Sequence, residues 1–269
     1  MNSARTSPHY PLDNGAPQAA ARLASLSSLY DDVTFRHLNR FGIPEGGCCL
    51  EIGAGSGTVA AFMKERAGPG GQVFATDINT DALADAVRGG IEVCRHDIGA
   101  DPLPATTFDI IHARAVLTFV PQRRSATERM MAALKPGGWI LLEEMVVPPS
   151  GTPYPNDQDV EIADKARQAI VEVIRRDGGD LTFWHAYPHI FAEFGLCGIG
   201  AEGFFLPFRT AAVAALAKAN VDQLRAAILG HGLTTAAELD RYRTLLCTPD
   251  LSYPPSMALI SVWGQRKVA

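Results

Sequence analysis

The sequence has no long apolar run and no strong basic cluster. A transmembrane helix needs roughly 18 or more consecutive apolar residues, and no stretch of this 269-residue chain approaches that, so we expect no membrane partner. Runs of Lys and Arg are no longer than pairs such as Arg123-Arg124, and the formal net charge is −5. An acidic chain without a basic stripe is poorly suited to a phosphate backbone, so we expect no nucleic-acid partner.

Cysteine is also scarce. The five cysteines are an odd number in a mid-sized chain, and they do not pair at the spacing of metal ligands, so we predict no metal site. Residues 1–18 lack the basic start and apolar core of a signal peptide. We therefore predict a cytoplasmic protein, in which free thiols stay reduced.

Short apolar runs alternate with helical segments between residues 48 and 144. Strands that alternate with helices indicate a parallel sheet with helices on both faces. Two further strand-like runs follow in the second half of the chain. The predicted strands are 48–53, 72–77, 91–96, 109–113, 139–144, 199–207 and 256–264.

Two helical segments, about 145–185 and 208–250, interrupt this alternation. They follow strands, and open α/β sheets bind ligands beyond the carboxyl ends of their strands. We therefore interpret both segments as a helical cap over a pocket, within one domain that extends over 36–269.

Residues 1–35 are predicted to form an N-terminal arm and helix. The helical pattern extends over 18–41, with a break expected at Asp31-Asp32. The apolar side of this helix either packs on its own domain or forms a homo-oligomer contact.

The strongest local motif is the segment LEIGAGSG at 50–57, where a strand ends and a helix begins. Glycines let a ligand approach the backbone closely, and a helix N-terminus offers free N–H groups to an anion. A nicotinamide dinucleotide site uses G-x-G-x-x-G, but Thr58 stands at the sixth position from Gly53. A nicotinamide-dependent oxidoreductase is therefore an alternative that fits the motif imperfectly.

Acidic residues follow the next two predicted strands. Asp77 ends the second strand, where a carboxylate can accept hydrogen bonds from both hydroxyls of a ribose. Asp97 follows the third strand, with Ile98 beside it. This pair suits an adenine, because the carboxylate can accept from the exocyclic amine while Ile98 covers the ring face.

In this order and spacing, the segments LEIGAGSG, FATD, RHDI, FDIIHARAVLTFVP and LKPGGWILLEE resemble class I S-adenosylmethionine (SAM)-dependent methyltransferases, above all their small-molecule and natural-product branch. The resemblance extends over roughly residues 36–146. It implies a Rossmann-like, seven-stranded, doubly wound α/β sheet, with antiparallel strands near 199–207 and 256–264 at its edge. It also implies S-adenosyl-L-methionine as cofactor and S-adenosyl-L-homocysteine as product.

The resemblance assigns cofactor contacts to four successive strand ends. The glycine turn would hold the methionine and ribose portions, and the acid of the second strand would bind the ribose hydroxyls. The residues after the third strand would hold the adenine, and the end of the fourth would lie beside the methionine. The cofactor-binding residues implied in this way are Glu51, Gly53, Ala54, Gly55, Gly57, Asp77, Ile78, Asp97, Ile98, Ala113 and Arg114.

The acceptor is predicted to be a small molecule. Methyltransferases that modify amino groups of bases or of Gln carry an Asn/Asp-Pro-Pro-aromatic motif after the fourth strand, where this chain reads HARA at 112–115. The Ala, Ile, Val and Leu content of the cap favours a moderately apolar acceptor. We therefore predict a SAM-dependent methyltransferase that methylates O, N or C of a small metabolite in natural product biosynthesis.

Methyl transfer is an in-line displacement that depends on proximity, alignment and a dry pocket. A general base helps when the acceptor is a phenol, amine or carbanion. The candidate bases are Glu144 at the end of the fifth strand and His185 where the cap returns to the core. One alternative is an enzyme that uses the sulfonium of SAM electrostatically for cyclisation or decarboxylation, and another is a non-catalytic SAM-binding protein.

Overall fold

In a computed structural model, the described residues are 11–12, 14–147, 156–205, 211–247 and 258–268. Residues 1–10 and 13 of the predicted arm, together with 148–155, 206–210, 248–257 and 269, lie outside this part of the chain. The described strands are β1 (Cys48–Ile52), β2 (Gln72–Asp77), β3 (Glu92–Arg95), β4 (Phe108–Arg114), β5 (Leu134–Val146), β6 (Cys197–Phe205) and β7 (Ala258–Gln265).

Helices connect these strands and form the cap. Short 3-10 turns lie at Asp81–Leu83, Leu117–Phe119 and Phe183–Ala186. None of the helices among the described residues combines the length and the apolar character needed to cross a bilayer. The helices are α1 (Ala19–Phe41), α2 (Thr58–Ala67), α3 (Ala84–Arg88), α4 (Arg123–Ala133), α5 (Asp157–Arg176), α6 (Tyr187–Glu193), α7 (Ala211–Gly230) and α8 (Ala236–Leu245).

The strands form one sheet in the order β3-β2-β1-β4-β5-β7-β6. The first five pair in parallel, and β7 runs antiparallel to both β5 and β6. The predicted seven-stranded doubly wound fold is confirmed. The two strands expected in antiparallel pairing at the edge are β7 and β6: β7 runs antiparallel to β5 and β6, and β6 is the outermost strand. Strand order reverses between β1 and β4, where open sheets place their ligands.

The central strands are buried on both faces, which explains their continuous apolar runs. Every residue of β1 is buried. Successive side chains of a strand point to opposite faces, so Cys48 joins one apolar cluster and Cys49 the other. Both faces therefore need helices, and the alternating segments of the sequence supply them.

The cap has its own apolar core. Ala163 and Val173 of α5 pack with Val221 of α7 and Leu239 of α8 in a cluster separate from those that flank the sheet. Leu12 of the N-terminal arm is buried in the same cluster. Most of the apolar content of the cap is thus used to hold its helices together.

Helix α1 is continuous from Ala19 to Phe41, so the predicted break at Asp31-Asp32 was wrong. Asp31 forms an ion pair with Arg114 of β4, and this pairing stabilises the charge within the helix. Leu29 and Val33 pack in a cluster with Val213 and Leu216 of α7. Residue 35, the predicted limit of the arm, lies inside this helix, and the predicted division into domains stays a prediction.

Candidate functional site

A cavity of about 350 Å³ opens at the carboxyl ends of β1, β2 and β4. Its lining comes from five sources: the strand ends, the turns after β1 and β3, the N-terminal arm at Asn14, the first turns of α1, and the loop after β4. The lining residues are Asn14, Arg22, Leu23, Leu26, Ile52, Gly53, Gly55, Asp77, Ile78, Arg95, His96, Asp97, Ile98, Asp101, Arg114, Ala115, Val116, Phe119, Val120, Pro121 and Gln122.

The glycine turn contains two positions that only glycine can occupy without strain. Gly53 and Gly55 have φ angles of 66° and 54°, in the left-handed region that other residues avoid. A Cβ on Gly53 would lie 2.2 Å from Cγ2 of Val116, and one on Gly55 would lie 2.9 Å from Cδ2 of Leu23. Close packing from both sides thus narrows the cavity around the bare backbone of the turn.

Asp77 is held in place by backbone amides at the end of β2. Its Oδ2 accepts from the Gly55 amide at 3.0 Å, and its Oδ1 accepts from the Asn79 amide at 3.0 Å. The residue is only 4% exposed. Each carboxylate oxygen can accept a further hydrogen bond, so Asp77 is fixed and still able to bind hydroxyl groups in the cavity.

Asp97 organises the turn after β3 in a similar way. Its Oδ1 accepts from the Gly99 amide at 2.8 Å, while its own amide donates to Oδ2 of Asp101 at 2.9 Å. Ile98 is buried, and Ile78 is partly exposed at the cavity. The acid and the apolar faces expected around an adenine therefore lie on one wall.

Arg114 joins the cavity to helix α1. Its Nη2 donates to Oδ1 of Asp31 at 2.7 Å, and its Nη1 donates to Oγ1 of Thr34 at 3.0 Å. The sequence placed Arg114 beside the cofactor but missed both α1 partners. Their contacts are remote in sequence and leave no local signal.

Four of the predicted cofactor residues, Glu51, Ala54, Gly57 and Ala113, do not line the cavity. The Gly57 amide donates to the Ala54 carbonyl at 2.8 Å, so this pair closes the glycine turn. Ala113 and Glu51 are buried beneath the cavity floor. The structure therefore gives these four residues positions behind the lining rather than in it.

Beneath the floor lies a buried ionic network centred on His112. Its Nδ1 lies 2.7 Å from Glu51 Oε2, and its Nε2 lies 3.1 Å from Glu143 Oε2. Glu143 also accepts hydrogen bonds from the hydroxyls of Thr34 and Ser261. With a carboxylate at each nitrogen, the imidazole donates on both sides as a cation.

The pKa values of the network follow from these contacts. Burial opposes the charge of His112, but the charge of Glu51 and the hydrogen bonds to Glu143 and Glu51 raise the pKa of His112 to about 9. Burial likewise opposes ionisation of Glu143, yet the hydrogen bond and charge of His112 hold the pKa of Glu143 at about 2. His112 has no free nitrogen with which to act as a base.

The two candidate bases lie elsewhere. Glu144 is buried on the opposite side of β5 from Glu143, where it accepts from Thr118 Oγ1 at 2.8 Å and from the Tyr187 hydroxyl at 2.9 Å. Burial, against these hydrogen bonds, raises the pKa of Glu144 to about 7. His185 is exposed and stacks on Trp184. The structure thus places neither Glu144 nor His185 at the cavity.

Sequence reasoning gave no site role to several parts of the lining, of which two are the largest. The apolar stripe of α1 was visible, but its first turns, with Arg22, Leu23 and Leu26, line the cavity instead of serving only as a packing face. The segment 119–122 was part of the family resemblance, but no site role was given to it. Among the described residues, no group of three or more His, Cys, Asp or Glu side chains is arranged to hold a metal ion.

Comparison with known proteins finds relatives of part of the chain. Residues 50–140 match the family model of a methyltransferase domain. The ubiquinone/menaquinone biosynthesis C-methyltransferase UbiE of Pseudomonas putida is 35% identical over 115 residues, which cover 40% of this chain and 45% of that protein. The chain therefore spans less than half the length of this curated relative.

Solved structures share the fold along most of the chain. Phosphoethanolamine N-methyltransferase 2 of Haemonchus contortus, in complex with phosphomonomethylethanolamine and S-adenosylhomocysteine, superposes with a TM-score of 0.59 at 16% identity, covering 97% of this chain and 60% of that one. The [4+2]-cyclase SpnF gives a TM-score of 0.53 at 19% identity, covering 96% of this chain and 86% of that one.

The match of residues 50–140 to a methyltransferase-domain model and the fold shared with solved methyltransferases agree with the resemblance predicted from the sequence. A cyclase has the same fold, so the fold alone does not define the reaction.

Proposed function

We propose that the chain is a SAM-dependent methyltransferase for a small-molecule acceptor, and that SAM occupies the cavity at the switch point of the sheet. One observation carries the proposal: the Asp77 carboxylate is fixed by the Gly55 amide at the edge of a cavity that Asp97 and Ile98 also line. A carboxylate beside a bare glycine turn fits a ribose, and an acid beside an apolar wall fits an adenine.

The chain's own residues would bind, orient and desolvate the reactants. Asp77 would accept from the ribose hydroxyls, and Ile78 and Ile98 would cover the adenine. When bound, SAM supplies an activated methyl group for an in-line displacement. Because Glu144 and His185 lie away from the cavity, the proposal relies on proximity and exclusion of water rather than on a positioned base.

The acceptor is proposed to be small and in part apolar. Leu23, Leu26, Val116, Phe119 and Val120 provide the apolar walls of the cavity, and such walls with a few polar groups are typical of metabolite pockets. The UbiE relative is described as a C-methyltransferase, which supports carbon among the O, N and C atoms predicted as acceptors. A role in natural product biosynthesis and a cytoplasmic location are parts of the same proposal.

Calorimetric titration of SAM into wild type and into Asp77→Ala tests the cofactor site. We expect binding by wild type and a loss of tenfold or more in affinity for the variant, about 1.4 kcal/mol or above. Asp81→Ala is the matched control, because Asp81 is an exposed acid in the next turn and should leave affinity unchanged. No binding by wild type, or equal binding by Asp77→Ala, would contradict the proposed site.

Turnover separates methyl transfer from the alternatives. Incubation with SAM and a panel of phenols, amines and acidic carbon compounds should release S-adenosylhomocysteine for at least one acceptor. Conversion of an acceptor with SAM left intact would support the cyclisation or decarboxylation alternative. SAM binding without turnover of any compound would support a non-catalytic protein.

A further inference from the structure

The side chain of Arg22 lies buried against the cavity. The residue is in the first turn of α1, is only 4% exposed and lines the cavity. Its Nη2 donates to the Leu12 carbonyl at 3.0 Å and to Oδ1 of Asn14 at 2.6 Å. Its Nε is buried and has no hydrogen-bond partner in the described part of the chain.

No carboxylate among the described residues forms an ion pair with Arg22, whose two acceptors are a neutral carbonyl and a neutral amide. Arg114, on another wall of the same cavity, is by contrast paired with Asp31. An arginine keeps its charge in proteins, and a buried charge is strongly unfavourable without a partner of opposite sign. The free cavity therefore contains one buried cation whose charge these residues leave unneutralised.

The position of Arg22 in its helix adds to this imbalance. The first turn of α1 contains no acidic residue, and no side chain caps its N-terminus. The backbone dipoles of a helix make its N-terminus positive, which disfavours a cation there and favours an anion. The helix terminus and the guanidinium thus favour the same kind of ligand.

We infer that Arg22 binds an anionic oxygen group of a ligand in the cavity. The planar fork of a guanidinium suits carboxylates and phosphates, which it can contact through two parallel hydrogen bonds. The inference rests on the proposed function, because the two sources considered are the methionine carboxylate of the cofactor and an acidic group on the acceptor.

The neighbours of Arg22 place this anion site at the junction of three elements. Leu12, whose carbonyl accepts from Arg22, is itself buried in the cluster formed by the cap helices. Asn14, the other acceptor, lines the cavity. An anion bound by Arg22 would therefore lie where α1, the arm and the cap meet.

Two ligands distinguish the sources by calorimetry on the full chain. S-adenosylhomocysteine carries the amino-acid carboxylate, and 5′-methylthioadenosine lacks it. If Arg22 binds the cofactor, Arg22→Gln should weaken S-adenosylhomocysteine binding by tenfold or more and leave the affinity for methylthioadenosine unchanged. Arg40→Gln, on the exposed side of the same helix, is the control that should bind both ligands as wild type does.

If Arg22 instead binds the acceptor, Arg22→Gln should leave S-adenosylhomocysteine affinity unchanged. Acetate or inorganic phosphate should then raise the Tm of the wild-type complex and not that of the variant. The same anions are also tested on ligand-free protein. If wild type fails to bind S-adenosylhomocysteine, the proposed function is refuted, and the effect of the anions on Tm still tests the Arg22 site. An Arg22→Gln variant that matches wild type in both the affinity and the anion measurements would overturn the inference.

A poorly folded Arg22→Gln variant would not prevent a decision. Arg22→Lys keeps the charge and loses the planar fork, so its effects should be in the same direction and smaller. Wild type alone also decides: equal affinities for S-adenosylhomocysteine and methylthioadenosine, together with no effect of acetate or phosphate on Tm, would overturn the inference.

Discussion

At the scale of single residues, the buried trio of Glu51, His112 and Glu143 dominates the energetics beneath the cavity. All three side chains are almost fully inaccessible, and each nitrogen of His112 contacts one carboxylate. Burying charges is costly, so such a network stabilises a fold only while its members stay paired. The floor of the site therefore depends on one histidine that does not line the cavity.

Replacing this histidine should be severely destabilising. His112→Asn would leave two carboxylates buried without their cation, and we expect a loss of about 3–5 kcal/mol in the free energy of unfolding. Urea denaturation near pH 7 measures it. His189→Asn is the control, because His189 is exposed in α6 and should change stability little. A loss below about 1 kcal/mol for His112→Asn would show that the network is not charged as described.

Glu144 gives a prediction of pH dependence. Its pKa is raised from 4.5 to about 7 in the folded state, so the folded protein binds a proton that the unfolded chain releases between these values. The resulting stability is present below pH 4.5 and is lost as the pH rises through 7. Glu144→Gln should abolish this dependence while retaining acceptance from Tyr187.

Unfolding of wild type and Glu144→Gln across pH 4.5 to 8 checks this expectation. The stability of wild type relative to the variant should fall with rising pH, by about 3 kcal/mol at most. Parallel curves would mean that the hydrogen bonds from Thr118 and Tyr187 compensate for the burial of the carboxylate. SAM affinity should be the same in both proteins, because Glu144 does not line the cavity.

At the scale of elements, the turn after β1 and helix α1 together shape the cavity. The turn brings bare backbone to the ligand, and α1 places Leu23 on Gly55 and Asp31 on Arg114. Helix α1 also supplies Thr34 to the buried network. An element that lies outside the alternating βα pattern therefore completes both the wall and the floor of the site.

A comparison of two glycines with similar φ angles distinguishes the effect of backbone strain from that of a steric clash at the site. Gly53 and Gly46 both have positive φ angles, of 66° and 72°, but only Gly53 has a neighbour, Val116, where a Cβ would stand. Both Gly→Ala changes should lower Tm, because each adds roughly 1–2 kcal/mol of backbone strain to the folded state. Only Gly53→Ala should also weaken SAM binding, by tenfold or more, in calorimetry. Equal affinities for the two variants would show that the Val116 side chain moves aside without weakening SAM binding.

At the scale of the whole molecule, the apolar face of α1 is buried within the chain itself. Leu29 and Val33 pack against α7, which is one of the two outcomes that the sequence left open. A homo-oligomer through this helix stays an untested prediction. Deleting residues 1–34 would uncover the α7 face and remove Thr34 from the buried network, so such a truncation is a poor test of assembly.

The mass of the full chain in solution is the better measurement. Because the face of α1 is covered within the chain, we expect light scattering to give the monomer mass of 28.8 kDa over a wide concentration range. A mass twice that value would instead support the homo-oligomer that the sequence left open.

The sequence by itself determined the local structure and the order of the strand ends. The predicted strand at 72–77 and the predicted helix at 157–176 agree with β2 and α5, because apolar periodicity and turn residues are local properties. The alternation of strands and helices then fixed which ends of β1 to β4 meet, and so it placed Gly53, Asp77, Asp97 and Arg114 around one cavity.

Only the tertiary structure decided which side chains work together. Glu143 and Glu144 are adjacent in sequence, yet one joins His112 and the other Tyr187, because a strand sends neighbours to opposite faces and distant elements supply the partners. The position of Arg22 at the cavity depends in the same way on how α1 packs across the sheet. Such contacts join residues far apart in the chain, and their energies depend on burial, which a sequence pattern does not record.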